Sequence, residues 1–289
     1  MERYDIAIIG TGPAGLQASI VAKIRNKTVL LIGSKDLSFK LTKAHSINNY
    51  LGLSTISGSE LAEKFKKHLD EFDIKITEDK IQAVYSMGDY YSLQGKETAY
   101  EASAVILATG VVSSSEIKGE EEYLGQGVSY CATCDAPLYK NKIAIIIGYS
   151  KGEENEAKFL SEIAKKVYYL PMYKEELDLP SSIEIINGKP LEIDKVESGM
   201  ELVTDSGNYI ANGVFVLREA IPVKTLVPGL EIDGPHVVVD RLMRTNLPGL
   251  FACGDIVGLP YQYIKSAGEG NTAAISAVSY IDKMKKIDK

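Results

Sequence analysis

A glycine-rich turn near the start of the chain constrains the fold more than any other feature. Residues 4–9 form a short apolar run that suits a buried parallel strand, and Gly10-x-Gly12-x-x-Gly15 follows it directly. A helical stretch and a second apolar strand at residues 28–32 complete the unit. In such a unit the first glycine permits a tight turn, the second lets backbone amides approach a pyrophosphate, and the third lets the helix pack closely on the strand. The sequence therefore predicts a nucleotide at this helix N-terminus.

The same pattern returns in the middle of the chain. Residues 142–147 form another buried strand, which ends at Gly148. A helix is expected over residues 153–165, and residues 167–170 form the returning strand. Short antiparallel strands follow each unit, and a late buried strand runs into Gly254. We therefore expect an α/β fold with two dinucleotide-binding, Rossmann-like domains, the second inserted into the first.

The domain boundaries follow from where each unit begins and ends. We expect residues 1–113 and 239–289 to form the first domain and residues 114–238 to form the inserted one. A final helix at about 268–284 closes the first domain. The length of 289 residues suits two domains of ordinary size.

Charge and hydropathy exclude several classes of function. The net charge of −7 argues against nucleic acid as the main partner. No run reaches the roughly 18 apolar residues of a membrane span, and the N-terminus reads as a strand rather than as a signal peptide. We therefore expect a cytoplasmic protein. In a reducing cytosol a Cys-x-x-Cys pair is catalytic or metal-binding rather than structural.

The pair Cys131-x-x-Cys134 carries the chemistry of the inserted domain. The chain has three cysteines, so a four-thiolate zinc or iron–sulfur site cannot form within it, and its histidines show no metal-ligand spacing. A Cys-x-x-Cys pair closes a reversible disulfide, because the thiolate pKa falls in this motif. Asp135 can carry the proton that disulfide chemistry moves, provided that burial raises its pKa. The alternative is a pair of inert buried thiols. Cys253 has no neighbouring thiol in sequence and is expected to be a packing residue.

The ends of two other strands refine the cofactor prediction. Gly33-Ser34 replaces the acidic residue that usually ends the second strand of an NAD site, which argues against a simple NAD site. Asp255 follows the late buried strand and faces a helix expected to begin with Gly268, an arrangement that suits the ribityl or phosphate groups of a flavin. The alternative is an aspartate that caps a helix or a turn.

Together these motifs resemble those of the low-molecular-weight, flavin-dependent thioredoxin reductases over nearly the whole chain. The resemblance rests on Gly10-Thr11-Gly12-Pro13-Ala14-Gly15, Asn49-Tyr50-Leu51-Gly52, Ala108-Thr109-Gly110, Cys131-Ala132-Thr133-Cys134-Asp135 and Ala252-Cys253-Gly254-Asp255. It implies FAD in the first domain, a homodimer, and thioredoxin as the protein that is reduced. It also implies a large domain rotation between reduction of the flavin and reduction of the disulfide.

The resemblance implies roles for individual residues. Cys134 would be the thiol nearer the flavin, Cys131 the thiol that attacks the partner disulfide, and Asp135 the acid–base group. The implied cofactor contacts are Gly10, Gly12, Pro13, Ala14, Gly15, Gly33, Ser34, Lys40, Leu41, Asn49, Ala108, Thr109, Gly110, Gly254, Asp255, Gln262, Tyr263 and Ile264. Gln262-Tyr263 stands where the family has Arg-Gln, so Tyr263 either stacks on the flavin or adenine or belongs to the core. FAD rather than FMN follows from the dinucleotide turn together with the resemblance.

The second glycine-rich turn departs from the family pattern. Ser150 replaces a glycine, and Glu153 replaces a small residue that a working NADPH site needs. Glu153, Glu154 and Glu156 crowd the start of the following helix, where carboxylates repel a phosphate. Pro171-Met172-Tyr173 stands where the family has a His-Arg-Arg clamp for the 2′-phosphate. We therefore expect a folded scaffold without an NADPH site, similar to the ferredoxin-dependent flavin thioredoxin reductases of anaerobes.

The leading interpretation is a reductase that passes electrons from reduced ferredoxin through FAD and the Cys131–Cys134 disulfide to thioredoxin. A flavin suits this task because it accepts single electrons twice and delivers a pair. Since ferredoxins are typically acidic, the interpretation predicts a local basic patch on this acidic protein. Two alternatives stay open: an NAD(P)H-dependent thioredoxin reductase whose second site binds differently, and a flavin-based redox sensor without turnover.

Overall fold

The computed structural model describes residues 3–42, 44–96, 98–111, 117–218 and 223–287. Within these ranges the side chains of residues 39, 40, 134 and 287 lie outside the description. The chain divides into two compact units, which are treated separately below. The first unit comprises Met1–Val111 and Pro222–Lys289, and the second comprises Val112–Ile221.

The secondary structure is numbered along the chain. The strands are β1 (Tyr4–Ile9), β2 (Val29–Ile32), β3 (Ile76–Thr77), β4 (Ala83–Ser86), β5 (Tyr91–Gln94), β6 (Ala99–Leu107), β7 (Val128–Ser129), β8 (Ile143–Gly148), β9 (Lys166–Pro171), β10 (Ile183–Ile185), β11 (Pro190–Val196), β12 (Gly199–Thr204), β13 (Gly207–Ala211), β14 (Gly213–Leu217), β15 (Ile232–Asp233), β16 (His236–Val237) and β17 (Leu250–Ala252). The helices are α1 (Pro13–Ile24), α2 (Phe39–Thr42), α3 (Gly58–Glu71), α4 (Ala132–Asp135), α5 (Glu154–Ser161), α6 (Val223–Leu226) and α7 (Tyr263–Ile287). Short 3-10 turns lie at Ala136–Tyr139, Lys151–Glu153 and Asp255–Val257.

The sheet of the first unit brings the carboxyl ends of five parallel strands, β1, β2, β3, β6 and β17, to one edge. Its order is β3-β2-β1-β6-β5-β4, and β17 also pairs with β6. The parallel registers place Ile9 beside Ile32 and Leu107, and Leu107 beside Ala252. The turns that follow β1, β2, β6 and β17 therefore lie together at this edge, where open α/β sheets bind ligands. These turns contain most of the residues that the sequence analysis assigned to the cofactor.

Helices α1 and α7 pack closely against each other in the first unit. Helix α7 begins at Tyr263, with the Ser266 N–H donating to the Gln262 carbonyl at 2.9 Å. The sequence analysis placed its start at about Gly268, five residues later. Gly270 lies where the two helices meet: a Cβ there would overlap the Ala14 carbonyl oxygen, so glycine is required at this contact.

The second unit has a parallel sheet of its own. Its order is β10-β9-β8-β14-β7, and a separate antiparallel sheet contains β11, β12 and β13. Gly148 is level with Pro171 on one side and with Leu217 on the other, so the second glycine-rich turn also lies at a carboxyl edge. Helix α5 ends at Ser161, four residues before the predicted end, because a turn at residues 162–164 leads into β9.

Residues 223–238 belong to the first unit, whereas the sequence analysis placed them in the inserted domain. Helix α6 packs against β4, and the β15–β16 hairpin packs against the turn at Asp255–Val257, both within the first unit. The second crossing between units therefore lies near residue 222 rather than near 238. The first crossing, predicted at 113, lies at residue 111. None of the described helices is long and apolar enough to cross a membrane.

Candidate active site

The turn after β1 has the backbone geometry that a bound pyrophosphate requires. Gly10 has a φ of +121°, and a Cβ there would overlap the Ala108 carbonyl oxygen. A Cβ on Gly15 would overlap the carbonyl oxygen of Gly10. These contacts bring β1, α1 and the end of β6 as close as backbones can pack. The spacing of the glycines predicted the close packing of α1 on β1, and the contacts explain why Gly10 and Gly15 must be glycine.

The first turn of α1 has no side-chain cap and no acidic residue of its own. Gly12 is the N-cap, Pro13 occupies the first turn, and neither a capping side chain nor an acidic residue occurs there. The first N–H groups of a helix lack partners within the helix and carry partial positive charge. Because neither the cap residue nor the first turn of this helix supplies an acceptor side chain, this terminus fits the phosphates of a dinucleotide.

The turn after β2 borders a cavity at the same edge. Gly33 and Ser34 line it, and the Thr11 hydroxyl donates to the Ser34 carbonyl at 3.0 Å, which joins the turns after β1 and β2. The cavity has a volume of about 410 Å³, and the complete lining consists of Gly33, Ser34, Glu78, Asp79, Lys80, Lys96, Thr98 and Tyr100. The sequence analysis missed the last six, because they follow β3 and flank β6, where no motif marks them.

Asp79 organises the wall of this cavity. Its carboxylate accepts hydrogen bonds from the Tyr100 hydroxyl and the Lys96 backbone N–H, both at 2.9 Å. The wall is therefore rigid and polar and lies beside the glycine turn. Such a cavity suits the adenosine end of a dinucleotide whose phosphates lie at α1.

The turn after β17 is held by two charged residues of α7. Glu269 accepts from the Gly254 N–H at 3.0 Å, and the Lys265 ammonium donates to the carbonyls of Gly254 and Gly258 at 3.1 and 2.6 Å. Lys265 and Glu269 also form an ion pair at 3.1 Å with about a fifth of each side chain exposed. The Ser266 hydroxyl donates to the Asp255 carboxylate at 3.1 Å. The sequence analysis predicted Gly254 and Asp255 here but missed the residues that position them.

Two of the predicted cofactor-binding residues, Asn49 and Gln262, are distant in sequence but hydrogen-bonded to each other. The Asn49 amide donates to the side-chain carbonyl of Gln262 at 3.4 Å. Tyr263 packs partly against the core, and burial together with the nearby Asp255 carboxylate raises the pKa of its hydroxyl. Ile264 is partly exposed beside it.

The remaining predicted contacts have varied surroundings. Leu41 is completely buried, and the side chain of Lys40 lies outside the described part. Ala108, Thr109 and Gly110 follow β6 at the same sheet edge, and Gly110 has a φ of +70°. Leu41 therefore supports the site through packing, whereas the turn after β6 presents its backbone.

The predicted dithiol lies at the start of α4 in the second unit. Cys131 is disulfide-bonded, and its spacing predicts Cys134 as the partner; the side chain of Cys134 lies outside the described part. The Ser129 hydroxyl donates to the Cys131 carbonyl at 3.2 Å and accepts from the Cys131 N–H at 3.1 Å. Asp135, partly buried, ends α4, and its N–H donates to the Cys131 carbonyl at 3.3 Å. The local backbone is thus ordered around the disulfide.

Cys253 lies elsewhere, in the first unit. It is free and completely buried, and burial raises the pKa of its thiol. A thiol with a raised pKa is a poor nucleophile, so this environment agrees with the packing role predicted for it.

Aromatic and acidic side chains occupy one side of the second glycine-rich turn. A Cβ on Gly148 would overlap the Tyr169 hydroxyl. That hydroxyl lies 3.1 Å from the Tyr173 hydroxyl, which donates to the Glu154 carboxylate at 2.7 Å. Glu154 also accepts from the Asp178 N–H at 3.1 Å and is almost completely buried. Burial raises the pKa of Tyr169 to about 12, so its hydroxyl is neutral at physiological pH.

A buried ion pair occupies the other side of that turn. The Arg218 guanidinium makes two hydrogen bonds to the Glu120 carboxylate, one of them at 2.7 Å, and both side chains are more than nine-tenths buried. Arg218 also lies over the Tyr149 ring, with its central carbon 4.7 Å from the ring centroid. Arg218 is the first arginine after Arg25 in the sequence. Its guanidinium is bound to Glu120 and stacked on Tyr149, so these contacts compete with binding of a phosphate.

Comparison with known proteins places this geometry in context. The sequence profile of the pyridine nucleotide-disulphide oxidoreductases matches residues 4–270. A thioredoxin reductase of Treponema pallidum is 32% identical over 97% of this chain and 98% of its own length. A ferredoxin-flavin thioredoxin reductase from Clostridium acetobutylicum has a solved structure that matches with a TM-score of 0.94 and 52% identity, covering 99% of this chain and 100% of that one. A thioredoxin reductase from Gloeobacter violaceus matches with a TM-score of 0.81 and 28% identity, covering 98% and 95%.

Proposed function

The chain belongs to the pyridine nucleotide-disulphide oxidoreductase family, and from that premise we propose that it is a thioredoxin reductase that takes electrons from reduced ferredoxin rather than from NADPH. The contrast between the two glycine-rich turns is the observation that favours ferredoxin over NADPH as the electron donor. After β1, the first turn of α1 has neither a side-chain cap nor an acidic residue, so its N–H groups can bind a ligand. The turn after β8 is occupied by tyrosines, a buried glutamate and a buried ion pair of the chain itself.

The cofactor is FAD, as in the family. The turns after β1, β2, β6 and β17 supply the groups that hold it: the α1 N-terminus for the phosphates, the cavity beside Gly33 and Ser34 for the adenosine end, and the Gly254-Asp255 turn for the ribityl chain. When bound, FAD collects single electrons and supplies a pair to the disulfide. These residues orient the cofactor, because their backbone groups are fixed by the sheet edge.

The expected chemistry of the dithiol is thiol–disulfide exchange. The Cys131 thiolate attacks one sulfur of the thioredoxin disulfide, forming a mixed disulfide and releasing one thioredoxin thiolate. The thiol of Cys134 then attacks Cys131, which restores the Cys131–Cys134 disulfide and releases the second thioredoxin thiolate. Two protons accompany the two electrons, and we assign Asp135 to carry one of them. The partly buried position of Asp135 beside Cys131 supports that assignment.

A solved relative also supports the choice of donor, and the oligomeric state and the location are further parts of the proposal. Ferredoxin as donor is supported by the Clostridium acetobutylicum structure, at 52% identity. A homodimer and a cytoplasmic location complete the proposal, the latter because a reducing compartment keeps such a pair reversible.

An anaerobic visible spectrum tests the electron donor. Purified protein is mixed separately with NADPH and with a reduced ferredoxin, and bleaching of the flavin band is followed in time. We expect bleaching by ferredoxin alone. Rapid bleaching by NADPH would contradict the proposal and favour the NAD(P)H-dependent alternative. Failure of both donors to support repeated turnover with thioredoxin would favour a redox sensor.

Cysteine variants test the disulfide independently of the donor. Cys131→Ser and Cys134→Ser should each abolish ferredoxin-driven reduction of thioredoxin while leaving the flavin spectrum in place. Cys253→Ser is the matched control, because that thiol is free and buried in the first unit. Retained turnover in both active-site variants would overturn the dithiol mechanism.

A further inference from the structure

Glu156 on α5 contacts the backbone of the helix that carries the cysteine pair. Its carboxylate accepts from the Ala132 N–H at 2.9 Å and from the Thr133 N–H at 3.3 Å. Helices α4 and α5 pack together within the second unit, and Ala132 is completely buried at their contact. The sequence analysis counted Glu156 among the carboxylates that crowd the second glycine-rich turn. The structure directs its carboxylate to the dithiol helix instead.

This contact constrains both the geometry and the charge of the pair. Ala132 and Thr133 are the two residues between Cys131 and Cys134. Their N–H groups belong to the first turn of α4 and have no partner within the helix, so the carboxylate fixes the turn by accepting from both. The same N–H groups and the start of a helix normally stabilise a thiolate at the preceding cysteine. A negative charge placed on them opposes that effect.

We propose that Glu156 is a positioning residue for the Cys131–Cys134 pair and that its charge keeps the pair strongly reducing. This rests on the proposed function only in taking Cys131 and Cys134 as the redox couple. A disulfide is a strong oxidant when its reduced form is stabilised, chiefly as a thiolate. By disfavouring the Cys131 thiolate, Glu156 lowers the potential of the pair and so favours electron transfer onward to thioredoxin. The carboxylate also holds Cys131 in place for attack.

Two substitutions separate charge from positioning. Glu156→Gln keeps an acceptor oxygen for the two N–H groups and removes the charge, whereas Glu156→Ala removes both. Glu162→Gln is the matched control, because Glu162 caps the other end of α5, is exposed, and loses the same charge. Circular dichroism and flavin content establish that each variant is folded and loaded.

The potential of the disulfide is the decisive readout. Each holoenzyme is equilibrated with dithiothreitol buffers of fixed ratio, quenched with acid, and its free thiols are counted by alkylation. Each disulfide reduced consumes one dithiothreitol dithiol, which becomes the cyclic disulfide, and yields two new thiols. For Glu156→Gln we expect about a tenfold larger equilibrium constant for reduction, equivalent to about 30 mV for this two-electron couple. We expect Glu162→Gln to stay within twofold of the unchanged protein.

Thioredoxin reduction then reports on positioning. Glu156→Ala should lower the turnover number well below that of Glu156→Gln, because only the alanine variant loses the two hydrogen bonds. An equilibrium constant for Glu156→Gln equal to that of Glu162→Gln would overturn the role of the charge, and equal turnover in the two Glu156 variants would overturn the positioning role. Thiol counting uses no electron donor or thioredoxin, so these results are distinguishable from a failure of the proposed function, which the Cys131→Ser variant detects.

Discussion

At the scale of single residues, the glycines of the first turn differ in what they require. Gly10 combines a left-handed backbone with a direct approach to the Ala108 carbonyl, so any side chain there meets two separate penalties. Gly88, in the turn between β4 and β5, has a φ of +95° but open space around it. A left-handed conformation alone costs a non-glycine residue about 1–2 kcal/mol. The two positions therefore separate the cost of backbone strain from the cost of steric overlap.

We expect Gly10→Ala to be destabilising and to lose FAD. The alanine Cβ would force β1 and the end of β6 apart, adding about 1–3 kcal/mol of overpacking to the cost of strain. Gly88→Ala should lower the free energy of unfolding by about 1 kcal/mol and leave FAD content unchanged. Urea unfolding followed by circular dichroism measures the first quantity, and the absorbance ratio of flavin to protein measures the second. Equal effects of the two substitutions would contradict the steric argument.

The residues of the first turn were predictable because their requirement is local. The spacing of Gly10, Gly12 and Gly15 indicates a tight turn and the close packing of α1 on β1, both within one strand–helix unit. The approach of Gly10 to Ala108 at the end of β6 is seen only in the folded chain. Lys265 and Glu156 were not predictable in their roles. Each acts on backbone groups of another element, and only the folded chain shows which element that is. A charged residue in a helix sequence indicates a solvated face far more often than such a contact.

At the scale of secondary-structure elements, α7 positions the turn after β17. Three residues of its first two turns contribute: Lys265, Ser266 and Glu269 bind the backbone or side chains of residues 254–258. The i,i+4 spacing brings Lys265 and Glu269 to one face of the helix, so each charge is balanced by the other while both contact the turn. The sequence analysis began α7 five residues too late and therefore left Lys265 outside the helix.

We expect Lys265→Met to weaken FAD binding by about tenfold or more and to destabilise the first unit. The substitution removes the donor to two carbonyls and leaves the Glu269 carboxylate, four-fifths buried, without its counter-charge. Losing charged hydrogen bonds of this kind costs about 1.5–3 kcal/mol, which corresponds to tenfold or more in affinity. Titration of the apoprotein with FAD, followed by quenching of flavin fluorescence, measures the affinity.

Arg244→Met is the matched control for this prediction. Arg244 forms an i,i+4 ion pair with Asp240 in the same unit, and about half of each side chain is exposed. Exposed ion pairs contribute about 0–1 kcal/mol, so this variant should bind FAD as the unchanged protein does. A similar loss of affinity in both variants would indicate a general effect of charge rather than the specific support of the turn.

At the scale of the whole molecule, the two units share the same strand–turn–helix arrangement but differ in what surrounds the glycine-rich turn. Each has a glycine-rich turn at the carboxyl edge of a parallel sheet, which the repeated strand pattern predicted. The first edge keeps an uncapped helix N-terminus and a cavity for a ligand. At the second edge, Tyr169, Tyr173 and Glu154 form one hydrogen-bonded chain, and Arg218 and Glu120 form a separate buried ion pair. The sequence predicted that the second site was altered, but not that tyrosine and arginine side chains from distant strands occupy it.

The net charge of −7 makes the response to salt a test of how an acidic donor reaches this protein. Two acidic proteins that met without local complementarity would repel each other, and added salt would raise their association rate. If a basic patch receives ferredoxin, salt instead screens an attraction and lowers the rate. Whether the association rate rises or falls with salt therefore distinguishes repulsion from attraction. The salt range is wide enough to show the effect, because the Debye length falls from about 30 Å at 0.01 M to about 3 Å at 1 M.

We expect the second-order rate constant for flavin reduction by ferredoxin to fall by about tenfold between low and high salt, as electrostatically steered encounters do. Stopped-flow absorbance of the flavin band, measured under anaerobic conditions across a series of sodium chloride concentrations, gives this rate constant directly. Reduction of the Cys131–Cys134 disulfide by dithiothreitol, an uncharged reductant, serves as the control and should change little over the same series. A rate that is constant, or that rises with salt, would show that the donor docks without the basic patch, because neither behaviour follows from a screened attraction.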